Sequence, residues 1–175
     1  MHIIIDGYNL IRQSEALRRF ERFGLEVGRK ELIRLLSLYR KSRGHKITVV
    51  FDGWMSGPPV EEREREGSII VVYSKRGEKA DEVIKRMVSK KEEETVVVTS
   101  DRDLADSISR RGSAAIPALT FESRLHAADA NLPNDTGGEK EEKTDGDTAR
   151  GTKKKGPSRK MSKKKKIFLT HIKKM

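Results

Sequence analysis

Cysteine is absent from the 175 residues. Its absence excludes disulfide frameworks, zinc ribbons and thiol catalysis, and it fits a reducing compartment. No apolar run approaches the ~18–20 residues that span a bilayer, so no membrane span is expected. The stretch Met1-His2-Ile3-Ile4-Ile5-Asp6 lacks a basic leader and meets an acid after three isoleucines, so it does not read as a signal peptide. Together these absences predict a cytoplasmic protein. There is no internal repeat and no sequence signature of an oligomeric state. Apolar residues make up 34% and charged residues 37% of the chain, too polar a mixture for one uniform globule, so the charge must be unevenly spread.

The charge is segregated along the chain. Residues 1–129 carry a net charge of +3, residues 130–149 a net of −4, and residues 150–175 a net of +12 with no acid at all. The turn-rich, apolar-poor stretch after Ala130 cannot bury enough surface to offset the entropy of ordering. We therefore expect a folded domain over 1–129, an acidic flexible linker over 130–149 and a disordered polybasic tail over 150–175. A length near 150 is a prior for one domain, and a domain of this size can hold a proper core.

Within the domain, strand and helix patterns alternate. His2–Ile5, Ile47–Phe51, Ser68–Tyr73 and Thr95–Thr99 are short, unbroken, mostly β-branched runs that suit parallel strands covered on both faces. Lys30–Arg43 has an apolar side and stops at Gly44. Lys79–Lys91 places Ala80, Val83, Ile84, Met87 and Val88 on one stripe. Asp101–Arg111 ends at Gly112, and a short strand at Ala114–Ile116 and a helix over Thr120–Ala128 close the domain. The order predicts an α/β, three-layer sandwich with a mostly parallel central sheet and right-handed crossovers. Sites in such sheets form outside the carboxyl ends of the strands.

Acids fall where that rule puts a site. Asp6 follows the first strand, Asp52 the second, and Asp101 the fourth, with Asp103 two residues on. Asp81 opens the helix after the third strand and lies roughly 90° from the centre of its apolar stripe, on the flank that can look toward the strand ends. Converging carboxylates repel, and their pKa values rise unless a cation joins them. Mg²⁺ or Mn²⁺ is the natural cation for an oxygen-only donor set. Such an ion beside a phosphodiester activates water and stabilises the leaving oxygen.

Each acid also has a purely structural use. Ser100-x-x-Asp103 has the form of a capping box with Asp in place of Glu. Asp81 can pair with Lys85 four residues on, and Asp52-Gly53 can be only a turn. Asp6 is the hardest to explain this way, because an acid abutting a buried strand needs a partner.

The motifs Ile5-Asp6-Gly7-Tyr8-Asn9-Leu10, Val50-Phe51-Asp52-Gly53, Gly77-Glu78-Lys79-Ala80-Asp81-Glu82 and Thr99-Ser100-Asp101-Arg102-Asp103 resemble those of the NYN domain, in particular its YacP-like branch. The likeness covers roughly residues 1–128, and the tail has no counterpart in the motif pattern. The resemblance implies a PIN-like (Rossmann-like) fold and a metal-dependent endoribonuclease. It implies that Asp6, Asp81 and Asp101 hold Mg²⁺ or Mn²⁺, that Asp52 and Asp103 are further acidic members, and that Asn9 orients a ligand, water or phosphate. Lys79 stands where a small or hydroxylated residue is expected, and a cation there would contact RNA or partly neutralise the site.

Other residues bear on the substrate. Trp54, the only tryptophan, lies in the long 53–67 connection and is available to stack on an unpaired base or to pack on the domain surface. Arg63 and Arg65 alternate with glutamates and read as a solvated stretch. Arg12, Arg18, Arg19 and Arg22 follow the first motif as a phosphate track or a soluble helix face, and Arg102 adjoins Asp101. In the tail, Lys153, Lys154, Lys155, Lys163, Lys164, Lys165 and Lys166 belong to a polycation suited to salt-dependent nucleic-acid binding. Ile167-Phe168-Leu169 is an apolar patch suited instead to a protein or an anionic membrane surface, and a solubilising tail is the plainest alternative. The leading expectation is an endoribonuclease cutting single-stranded or loop RNA, with ribosome association one form of that partnership. The alternative is a nuclease-like module that binds RNA or the ribosome without cleaving. A receiver-type domain needs paired acids after the first strand, where only Asp6 stands, and a haloacid-dehalogenase-type phosphatase needs an acid at Tyr8.

Overall fold

The computed structural model describes residues 1–53, 57–90, 93–130 and 170. Its strands are β1 (His2–Asp6), β2 (Lys46–Phe51), β3 (Glu62–Glu66), β4 (Ile69–Tyr73), β5 (Thr95–Val98) and β6 (Ala114–Ile116), and its helices are α1 (Gly7–Gln13), α2 (Glu15–Glu21), α3 (Leu25–Arg43), α4 (Ala80–Ser89), α5 (Arg102–Arg110) and α6 (Ala118–Ala130). They form one six-stranded sheet in the order β3-β4-β2-β1-β5-β6. All pairings are parallel except β3 with β4.

The β-branched runs behave as their composition requires. Successive residues of β1 point to opposite faces, and both faces are covered. Ile3 and Ile5 join Val49, Phe51, Val71, Val96 and Val98 under α1, α2, α3 and α6. Ile4 joins Val50, Val72 and Val97 under Val83, Ile84 and Val88 of α4 and Leu104 and Ile108 of α5. Each fully buried Ile or Val adds roughly 1.5–3 kcal/mol. Thr48, the one polar residue in the middle of β2, is satisfied by His2, whose Nε2 lies 2.8 Å from Thr48 Oγ1.

The three-layer parallel architecture expected from the alternation is present, and several elements differ from the sequence reading. Residues 62–66 are solvated as read, but they also pair with β4 as an edge strand, so the connection after β2 is shorter than expected. An edge strand exposed on both sides needs no apolar face, and its alternating charges guard the open edge. In the first crossover, α1 and α2 precede α3. Each has only seven residues, too few to show an apolar stripe. The helix expected to begin at Lys30 starts at Leu25 because its first turn is exposed and breaks the period. No helix among the described residues is long and apolar enough to cross a membrane. Trp54, the linker and the polybasic lysines lie outside the described residues.

Candidate active site at the carboxyl edge of the sheet

On leaving β1, the chain goes to β2 on one side, while β5 lies on the other. The switch point therefore falls between the carboxyl ends of β1 and β5. Asn9 spans it. Its side-chain oxygen accepts a hydrogen bond from the Ser100 N–H at 2.8 Å, across 91 positions of sequence. That leaves the Asn9 amide NH₂ as a donor, and Asn9 is among the residues that line the cleft. Gly7 makes the entry to α1 tight. A Cβ there would stand 2.4 Å from the Phe51 ring.

Asp6 is the last residue of β1 and 8% exposed. It caps α1, accepting from the Asn9 N–H at 3.2 Å, and its other oxygen lies 3.5 Å from the Thr99 hydroxyl. Burial pushes its pKa up to about 6; the charges of Asp81 and Asp101 add to the rise, while the Asn9 and Thr99 hydrogen bonds oppose it. Burial also raises Asp81, again helped by Asp101, against the opposing charges of Lys85 and Lys79. Asp101 caps α5, accepting from the Leu104 N–H at 2.9 Å. Its own N–H donates to Thr99 Oγ1 at 3.1 Å. One threonine hydroxyl thus links the Asp6 carboxylate to the Asp101 backbone.

A cleft of about 500 Å³ is lined by Asp6, Asn9, Arg12, Asp52, Lys79 and Asp81, together with Tyr8 and Leu25. Asp101 joins these acids through its charge. Exposed Arg102 and Asp103, on the first turn of α5, do not line the cleft, and Asp103 is not among the charges acting on Asp6 or Asp81. The capping box expected at Ser100 and Asp103 does not form. Asp101 is the cap, and Ser100 Oγ instead accepts from the Ala118 N–H at 3.1 Å. Lys85 pairs with Glu82 at 2.9 Å, which leaves Asp81 without an ion pair or hydrogen bond among the described residues. Among those residues, no three His, Asp or Glu side chains are drawn together into a ready ligand shell. A larger hollow of about 750 Å³ between α3 and α6, lined by residues such as Arg43, Leu119 and Arg124, holds no carboxylate and none of the expected site residues.

Sequence reasoning missed Ser74, and it missed the contacts that Thr99 and Ser100 make from within the fourth motif. Ser74 holds the end of β2, accepting from the Gly53 N–H at 2.8 Å and donating to the Glu78 carbonyl at 2.6 Å. The available signal was a hydroxyl residue closing an apolar strand, which is also how many plain strands end.

Fold and site define an α/β domain with a carboxylate cleft at its switch point. The chain belongs to the YacP-like NYN domain family, whose model matches residues 3–173. That match runs well past the residues 1–128 that carry the motif likeness, so the family pattern takes in the carboxyl-terminal segment as well. The chain is 28% identical over 85 residues to the uncharacterized protein YacP of Bacillus subtilis (strain 168), an alignment covering 49% of each chain; it therefore spans about half the length of that curated relative. The crystal structure of Rae1 (YacP) from Bacillus subtilis has a TM-score of 0.64 at 21% identity, over 75% of this chain and 77% of that one. A mutant of it has a TM-score of 0.62 at 22% identity, covering 74% and 77%. These likenesses show the shared fold. Family membership is consistent with a nuclease-like, RNA-related role.

Proposed function

We propose that the protein is a cytoplasmic, metal-dependent endoribonuclease that hydrolyses phosphodiester bonds in single-stranded or loop RNA. The carrying observation is the convergence of Asp6 at the end of β1, Asp81 in the first turn of α4 and Asp101 at the cap of α5: the charge of Asp101 bears on both Asp6 and Asp81, and that of Asp81 on Asp6. A buried acid such as Asp6 with further carboxylates beside it is costly unless it serves a cation or a proton transfer.

The donor set fits Mg²⁺ or Mn²⁺. It is all oxygen, and Mg²⁺ keeps several waters and needs only one or two carboxylates plus phosphate oxygens, so a closed protein shell is not required. Asp6, Asp81 and Asp101 would hold the ion, with Asp52 on the cleft wall as a further acid. A bound ion supplies an activated water and charge stabilisation at the phosphate. Asn9, oriented by Ser100, would donate its amide to a phosphate oxygen. Arg12 and Lys79 would hold the flanking backbone charge, and Lys79 also moderates Asp81. Arg102 and Asp103 stand apart on α5, outside the core of this set.

A second reading has one observation in its favour. The described acids form no preassembled ligand shell, as expected of a nuclease-like module that binds RNA without cutting it. One experiment separates the two. Single-stranded RNA is incubated with protein and Mn²⁺, with EDTA and Asp6→Asn controls. Cleavage lost in both controls supports the enzyme. Binding without cleavage by either protein overturns the enzyme and leaves the adaptor.

A further inference from the structure

At the corner between α2 and α3 the chain exposes apolar side chains that a folded domain ordinarily hides. Phe20 is 40% exposed, Phe23 81%, Leu25 47% and Val27 40%. Four such residues within eight positions make a patch, unlike the isolated Val60 and Leu119 elsewhere. The corner is held firmly. Phe23 N–H donates to the Phe20 carbonyl at 3.0 Å and Gly24 N–H to the Glu21 carbonyl at 2.9 Å. Gly24 has a φ of +133°, a conformation that other residues rarely adopt. Gly28 lacks the side chain that would meet the Glu21 backbone at 3.4 Å, so α3 lies close on α2. The aromatic rings are thus displayed by a fixed turn.

The surroundings of the patch are basic and lead into the cleft. Arg12, Arg18, Arg19 and Arg22 are all exposed on α1 and α2. Glu15 stands 3.5 Å from Arg19, an exposed pair that neutralises little, and the partly buried Glu21 stands 3.9 Å from Arg12. Arg12 lies 5.6 Å over the ring of Tyr8. Arg12, Tyr8 and Leu25 line the same cleft as Asp6 and Asp81, so the apolar corner meets the cleft wall at Leu25. Interleaved aromatics and arginines are what a single strand requires, with rings for base faces and guanidinium groups for phosphates. A duplex hides its base faces and gains nothing from exposed rings.

We propose that the α2–α3 corner, centred on Phe23 and Phe20, is a platform on which unpaired bases of single-stranded RNA stack as the strand leaves the acidic cleft, with Arg12, Arg18 and Arg22 on its phosphates. The platform rests on the ribonuclease reading for its orientation, and its test is binding, which needs no cleavage.

The full chain is titrated in EDTA with a short fluorescein-labelled oligouridylate and with an RNA duplex of the same length, across a salt series. Phe23→Ala is expected to weaken the single strand roughly five- to thirtyfold and the duplex by less than about twofold, with Phe23→Tyr close to the parent. Arg18→Gln with Arg22→Gln lowers the salt slope by about one to two on both RNAs. Thermal melts of each variant check that the fold is intact. Unchanged oligouridylate affinity for Phe23→Ala overturns the platform and leaves the patch to a protein partner. Equal losses on strand and duplex also overturn it, because stacking then is not the cause. The parent protein is separately assayed for Mn²⁺-dependent cleavage. Absent cleavage with the Phe23 effect intact defeats the ribonuclease reading and keeps the platform. Cleavage without a Phe23 effect does the reverse.

Discussion

Asp6 concentrates the conflict between folding and chemistry in one side chain. Its carboxyl holds a proton up to about pH 6 in the folded protein, against an ordinary value of 3.8. The folded state therefore binds more protons than the unfolded state in that window, and stability is lost as pH rises through it. By neutral pH the cost amounts to roughly 3 kcal/mol. Asp6→Asn keeps an oxygen to accept from the Asn9 N–H and removes the charge. It is expected to stabilise the metal-free protein near neutral pH by up to that amount, and to give no gain once the pH falls below the ordinary carboxyl range. Denaturant melts of both proteins at the two pH values check this. A loss of stability that is the same at both would show that Asp6 serves the fold alone. Asp6 as the acid hardest to assign to local structure was legible from its place after a buried β-branched run. Its dependence on Thr99 was not, because that contact joins residues 93 positions apart.

The elements around the site are short and held by their ends. α2 has seven residues and one buried apolar side chain, Leu17, so its start matters more than its length. Ser14 is fully buried there, accepting from the Leu17 N–H at 3.0 Å and bonding the Glu122 carboxylate of α6. Ser14→Ala removes a helix cap and one of the two partners of that carboxylate, which keeps only His126 at 3.4 Å, at an expected cost of about 1–3 kcal/mol. Chemical denaturation reads this directly, and a cost below a few tenths of a kcal/mol would contradict it. Loosening α2 also loosens the corner that displays Phe23, so single-strand RNA affinity is expected to fall with it. The helices α4 and α5 were readable because each carries a full apolar stripe. The three-helix crossover was not, because seven-residue helices and an exposed first turn leave no period to detect. β3 was hidden for the opposite reason: its alternation is wholly polar, and backbone pairing with β4 alone makes it a strand.

In the whole chain, charge is divided between a nearly balanced domain and a carboxyl-terminal segment of net +12. The cleft holds the acids, so general affinity for a polyanion must come from elsewhere. Deleting 150–175 is expected to weaken RNA binding and flatten its salt dependence, since each lost phosphate contact lowers the salt slope by about one. Intrinsic cleavage at saturating RNA should persist. Identical salt titrations for full and shortened chains would remove the segment from RNA binding.

The sequence by itself determined the strand runs, the helical stripes, the charge division and the acids at the strand ends, because burial on a known face writes a period that any reader can count. Only the tertiary structure decided which of those acids meet. Asp101 bears on Asp6 and Asp81 while Asp103, two residues on, is exposed and not among the charges acting on either, and Asn9 reaches Ser100 across the switch point. The reason is that periodicity records which way a side chain points relative to its own element. Proximity between segments about ninety positions apart is set by the crossovers and the strand order, and no local pattern encodes those.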